Sequence, residues 1–329
     1  MNILYNHARR LRSGWRFAVF AIVFMMLFVI FGGVAAVLLK AFSPAMIVRI
    51  LTLTQGSGEF LVQGALILFI ATVGGFVCLR LLEDLPFRAL GWGLHRSWFK
   101  DLLFGSIIGA ASLLFAALII TVFGGFSFSF NREASGAAIT QTIVVTTLIF
   151  VLGAAGEEAW FRGYILQTLL RSHPVLLAAI PSSILFAALH LGNPNVAPFW
   201  TFINTALAGV WLAVAYLRTR SLWFPLGVHW AWNWTMASVL GIPVSGITSI
   251  APAPLFRATE TGADWLTGGS YGIEGGAVCT LALIVSSLFI WKTSWLKADE
   301  ELLMMTSREN PQNTVFNELL TAETQSTQS

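Results

Sequence analysis

Long apolar stretches alternate with short polar ones along most of the chain, at the spacing of membrane crossings rather than the short alternation of a soluble fold. Eight such stretches are legible, over about residues 17–39, 60–80, 102–123, 140–170, 175–192, 199–217, 222–241 and 276–294. Each approaches or exceeds the roughly 20 residues a helix needs to cross hydrocarbon, where backbone groups must be satisfied within the segment. The pattern predicts an all-α, polytopic membrane protein of about eight transmembrane helices. The fourth stretch is too long for one simple crossing and contains the sequence GEEAWFRG, so it is expected to tilt, break or run along the interface. The first follows Arg9, Arg10, Arg12 and Arg16 but is longer than the roughly 7–15 apolar residues of a secretory signal, and it reads as an uncleaved span. Three regions result: a basic N-terminal segment (1–16), a transmembrane domain (17–295) and a polar tail (296–329) expected to be disordered.

Composition sharpens this reading. Hydrophobic residues make up 56% of the 329 and charged residues 11%, against about a quarter charged in soluble domains. A net charge of +3 without a basic, aromatic-interleaved stripe argues against nucleic acid as a partner. Cys78 and Cys279 lie in apolar runs and read as packing residues.

The basic residues partition by loop. With the N-terminus in the cytoplasm, one side holds Arg9, Arg10, Arg12, Arg16, Arg80, Arg88, Arg96, Lys100, Arg171, Arg218, Arg220, Lys292, Lys297 and Arg308. The other holds Lys40, Arg49, Arg132 and Arg257. This split predicts eight crossings with both termini cytoplasmic, and the expected location is a bacterial plasma membrane.

Against that apolar background a few polar residues stand out. Glu157, Glu158 and Arg162 lie inside the fourth stretch, His190 in the fifth, His229 and Asn233 in the seventh. Ionisable groups at such depth are costly and mark functional sites unless paired. Glu158 and Arg162 are i,i+4 and can pair, while Glu157 points about 100° away and is free to face water. His229 and Asn233 share a helical face, and His190 lies one turn after Phe186. A shared polar cavity satisfies all three helices at once. His7, His95 and His173 lie outside the apolar stretches and carry no such signal. Ser182 and Ser183, Gly156 and Gly163 read as packing residues, and Phe17, Phe20, Phe24, Phe28 and Phe31 as a lipid-facing row.

A glutamate and a histidine can activate water directly or through a metal, and a second histidine and an amide can donate to an oxyanion. Blander readings exist for each part: a structural ion pair for Glu157, Glu158 and Arg162, a core histidine for His190, an aromatic interfacial belt around His229 and Asn233. Competing functions are a proton- or ion-coupled transporter, for which no internal repeat speaks, and a non-catalytic scaffold or immunity protein.

The three motifs together, E-E-x-x-x-R, F-x-x-x-H and H-x-x-x-N within residues 140–240, resemble the CPBP family of CAAX-processing and bacteriocin-processing intramembrane proteases. The resemblance implies an all-α membrane fold with a sunken site and a peptide or membrane-protein substrate. It also implies that Glu157 and His190 activate the water and that His229 and Asn233 stabilise the oxyanion. If the reaction uses Zn2+, Glu157, His190 and His229 are the implied ligands; a metal-free water is the other course.

Overall fold

The computed structural model describes residues 3–6 and 10–307 of the chain. Its framework is a bundle of helices: α1 (Ser13–Ala41), α2 (Pro44–Leu53), α3 (Gly58–Glu83), α4 (Trp98–Val122), α5 (Gly136–Glu158), α6 (Leu166–Leu170), α7 (Val175–His190), α8 (Pro198–Thr219), α9 (Trp223–Trp234), α10 (Asp264–Thr267), α11 (Ala277–Lys292) and α12 (Glu300–Thr306). π-helical segments follow α5 (Ala159–Ile165) and α9 (Thr235–Val239). All eight apolar stretches are helical, which makes the chain a polytopic, predominantly helical integral membrane protein. Five of the eight are long and apolar enough to cross a membrane outright. The fifth and eighth, α7 and α11, have 16 residues each, about 24 Å at 1.5 Å per residue, shorter than an average hydrocarbon core.

The fourth stretch does not break. α5, the π-helical segment and α6 form one apolar helical run, Gly136–Leu170, of 35 residues. Its second half is buried almost continuously from Ala154 to Arg171, so protein rather than lipid surrounds it.

Loop contacts sort the two ends of the bundle. At one end Arg16 Nη1 and Arg171 Nε donate to the same oxygen of Glu83, Oε2, at 2.9 and 2.6 Å. Ser13 Oγ lies 2.9 Å from His173 Nε2, and Arg88 pairs with Glu301 at 2.8 Å. At the opposite end Ser57 donates to Ile250 O, Gln141 to Thr52 O and Asn193 to Ser245 O. There β1 (Phe126–Phe130) pairs antiparallel with β2 (Phe256–Glu260), and the segment between α9 and α11 folds over the bundle as a cap. The loops expected to carry the excess of basic residues therefore gather at one end of the molecule.

Two expectations change. Residues 300–306, placed in the disordered tail, form α12, capped by Asp299 Oδ1 and held by the buried Leu302 and Thr306; the tail beyond residue 307 lies outside the described residues. In the phenylalanine row of α1, Phe20 and Phe24 are buried against protein, with Phe24 stacked on Trp160 at 4.0 Å between centroids and Phe20 4.8 Å from Tyr164.

Helix crossings are set by small residues. A Cβ on Gly64 would lie 2.9 Å from Gly153 N, and one on Gly156 would lie 3.0 Å from Leu68 N, so α3 and α5 meet backbone to backbone. A Cβ on Gly209 of α8 would lie 2.7 Å from the Ser183 Cβ of α7. The expected packing roles of Gly156 and Ser183 are realised there. The nearest atom to a Cβ on Gly163 is 3.5 Å away, an ordinary contact.

Candidate active site

Close packing of α4 on α9 sets the depth of the site. A Cβ on Gly105 would lie 2.3 Å from Phe224 O, one on Gly109 2.1 Å from Val228 O, and one on Gly227 2.3 Å from Leu102 O. No side chain fits between these backbones. Gly109 is halfway along α4, a helix of 25 residues, so His229, next after Val228, is held at mid-span. The spacing Gly105-x-x-x-Gly109 is the sequence signal for this contact.

Glu157 and Glu158 end α5, and the chain continues into the π-helical segment that carries Arg162. The second π-helical segment begins two residues after Asn233. Such widened turns occur often at functional sites, where an extra residue re-aims side chains.

Glu158 is fully buried. Its Oε1 accepts from Arg162 Nη1 at 3.1 Å and lies 2.9 Å from His229 Nδ1. Arg162 also donates through Nη2 to Gly209 O at 3.0 Å, and its guanidinium sits 4.9 Å from the Phe186 ring centroid. One network thus ties the fourth helical run to α7, α8 and α9. Bare burial of any of these charges would cost several kcal/mol, roughly, and mutual pairing is what makes the depth tolerable.

Glu157 is placed differently. Its side chain is 31% exposed, and its Oε2 lies 3.7 Å from His229 Nε2, an electrostatic contact longer than a hydrogen bond. It faces a cavity of about 320 Å³ that His190, His229 and Asn233 also line. His190 Nδ1 lies 2.8 Å from Phe186 O. A carbonyl can only accept, so Nδ1 carries the hydrogen and the neutral ring keeps Nε2 as an acceptor. Asn233 makes no side-chain hydrogen bond among the described residues and presents its amide to the cavity. Glu157, Glu158, Arg162, His190, His229 and Asn233 thus all belong to one constellation, four on the cavity wall and Glu158 and Arg162 behind it.

The fit to a metal is a separate matter. Among the described residues no three His, Cys, Asp or Glu side chains gather into a group that could hold an ion, and this includes Glu157, His190 and His229. Each Nδ1 is held from behind, by Glu158 and by Phe186 O, so Nε2 is the ring atom either histidine could offer an ion. The residues as placed do not form a zinc site.

Sequence reasoning also left out a cavity residue. Glu274, on a 3₁₀ turn (Ile273–Gly275) of the cap, reaches the same cavity. Its Oε2 accepts from Ser245 N and Oγ, each at 2.8 Å, and its Oε1 from Trp232 Nε1 at 3.2 Å. Nothing local distinguishes it from an ordinary loop acid; only the folding of the cap brings it in. Of the remaining histidines, His173 bonds Ser13 and His95 lies 3.4 Å from Asp101, and neither lines the cavity; His7 lies outside the described residues.

Residues 139–235 match the family described as Rce1-like, type II CAAX prenyl endopeptidase. The matched segment runs from α5 to the first residue of the second π-helical segment and contains all six residues of the constellation. No curated protein matches the chain.

Proposed function

We propose that this membrane protein, whose residues 139–235 match the Rce1-like CAAX endopeptidase family, hydrolyses peptide bonds within the membrane by means of a water activated at Glu157. The observation that carries the reading is the unequal placement of two adjacent carboxylates. Glu158 is buried and bonded to Arg162 and His229, whereas Glu157 stands on the cavity wall beside His229 Nε2.

In this mechanism the Glu157 carboxylate takes a proton from water, with the lone pair of His190 Nε2 as a second acceptor. The hydroxide attacks the peptide carbonyl carbon, and the C=O π pair moves onto oxygen. That oxyanion meets the amide of Asn233 and the Nε2–H of doubly protonated His229, whose Nδ1–H is held by Glu158. Donors fixed in advance, in a site shielded from bulk water, are typically worth about 10²–10³ in rate each. Collapse of the intermediate breaks the C–N bond, the departing nitrogen takes the proton stored on Glu157, and the carboxylate is restored. Arg162 touches no substrate atom; it positions Glu158, and through it the His229 ring.

The substrates are peptide ends or membrane proteins presented to the cavity, and a farnesylated peptide with a CAAX terminus is the first to try. The test uses purified protein in lipid nanodiscs with that peptide, together with comparative mass spectrometry of membrane peptides from cells carrying wild type or Glu157→Gln. Cleavage by wild type and its loss in the variant are expected. Identical peptide profiles and no cleavage of the probe would overturn the reading.

A further inference from the structure

The polar groups of the cavity are almost all committed. Glu274 and Ser245 bond to each other, Asn193 donates to Ser245 O, and Asn204 donates to Glu274 O and Gly276 O while accepting from Thr280. Glu157, His190, His229 and Asn233 belong to the reaction proposed above. One amide remains. Gln63, in α3, lines the cavity, is exposed, and makes no side-chain hydrogen bond among the described residues.

Its placement is rigid. The next residue, Gly64, is where α3 meets the backbone of α5 at Gly153, and Gly153 is one helical turn before Glu157. Gln63, one residue before that contact on a helix parallel to α5, therefore stands about 7.5 Å along the helix axis from the level of Glu157, five residues at 1.5 Å each. It also stands at a seam. α3 packs extensively on α1 and α5, and α7 on α8, with no comparable packing between α3 and α7. Gln63 and Ile67 on one side of that gap face the cavity together with Leu189 and His190 on the other.

We propose that Gln63 binds the backbone of the substrate peptide where it passes between α3 and α7. An extended peptide in a membrane brings N–H and C=O groups that have lost water, and each is costly until paired. A carboxamide offers a donor and an acceptor side by side, so it can pair with either group or with both. At about 3.3 Å per extended residue, its level corresponds to a peptide unit about two residues from the bond that is cut. The assignment rests on the endopeptidase reading for its substrate, but not for its measurement.

The experiment compares wild type, Gln63→Leu, Glu157→Gln and the double variant in nanodiscs, with a fluorescent farnesylated CAAX peptide and with versions shortened on either side to one residue from the cut. With the full peptide, Gln63→Leu is expected to raise KM roughly 5–20-fold, the loss of one or two hydrogen bonds, with kcat within about twofold. Peptide binding by Glu157→Gln is expected to weaken by the same factor in the double variant, and one of the shortened peptides to be insensitive to the substitution. Unchanged KM and Kd would overturn the proposal, as would a fall in kcat alone, equal sensitivity of every peptide, or no binding of the peptide at all. If wild type cleaves nothing while binding still depends on Gln63, the endopeptidase reading fails alone. If cleavage proceeds and binding ignores Gln63, this inference fails alone.

Discussion

The Nδ1 of His229 lies 2.9 Å from Oε1 of Glu158, a bond between residues 71 positions apart that locks α9 to the end of α5. The same carboxylate oxygen accepts from Arg162 one turn along its own helical run. Because both ring nitrogens of His229 face carboxylates, the histidine is oriented from behind by Glu158 while its other edge faces Glu157 and the cavity.

That arrangement separates the two glutamates experimentally. Glu157→Gln keeps shape and removes basicity at a partly exposed position without a hydrogen bond to lose. Cleavage is expected to fall by about 10²–10⁴, the range of general acid–base contributions, with thermal stability and yield unchanged. Steady-state kinetics and a thermal melt of the purified variant check both halves; retained activity refutes the base assignment.

Glu158→Gln removes the charge that balances Arg162 and weakens the hold on His229. Breaking a buried pair costs roughly 3–5 kcal/mol, partly offset here by the bond from Arg162 to Gly209 O. A lower melting temperature and lower yield are expected together with lost activity. A variant that melts with wild type would assign the stability of Arg162 to Gly209 and Phe186 instead.

The glycine contact between α4 and α9 gives a prediction remote from the chemistry. In Gly109→Val the new side chain would have to occupy space already filled by Val228 O, 2.1 Å from the Cβ position. α9 must shift, and His229 with it; displacement of about 1 Å can cost 10²-fold in rate. Loss of activity and a lower melting temperature are expected. Gly33→Ala, where nothing lies within 4 Å of a Cβ, serves as the control and is expected to match wild type.

The clustering of loops bears on topology. Arg16, Glu83 and Arg171 come from the start of α1, the end of α3 and the end of the fourth helical run, and their contact puts those three ends on one side. Reporter fusions after residue 16 and after residue 310 are both expected to report the cytoplasm, by the excess of basic loops at that end. Opposite reports would remove the eight-crossing arrangement.

The parts of this structure that were legible in the sequence share a cause. A glutamate or histidine inside an apolar run is conspicuous because lipid penalises it, so Glu157, Glu158, Arg162, His190, His229 and Asn233 identify themselves, and i,i+4 spacing pairs Glu158 with Arg162. The π-helical segments leave no such mark: Ala159–Ile165 and Thr235–Val239 are set by how neighbouring helices pack, and their composition suits an α-helix equally well. Glu274 was hidden because a cap whose shape depends on glycines and long-range bonds delivers it. Gly246, for example, has φ of +81° and no room for a Cβ beside Pro194 O. α12 does carry a local signal, Asp299 as cap with Glu300 and Glu301 in the first turn, but its short length and polar surroundings masked it.

Dependence on metal follows from the same geometry. Zinc in a hydrolytic site takes three protein ligands at about 2.0–2.2 Å and leaves one position for water. Glu157, His190 and His229 line one cavity but, among the described residues, do not converge as such a set. Nε2 of His229 faces Glu157 at 3.7 Å, too long for a direct hydrogen bond and close enough for both to touch one water. Activity is therefore expected to survive prolonged dialysis against 1,10-phenanthroline and EDTA with kcat/KM within about twofold, and added zinc is expected to give no gain. Elemental analysis of the dialysed, active protein closes the argument, since substoichiometric zinc with full activity excludes a tightly held ion. Activity that disappears on chelation and returns only with zinc would instead mean that His190 and Glu157 move toward His229 to form the ligand set. Glu157→Gln would then lower zinc affinity as well as rate, which the proposed direct activation of water does not predict.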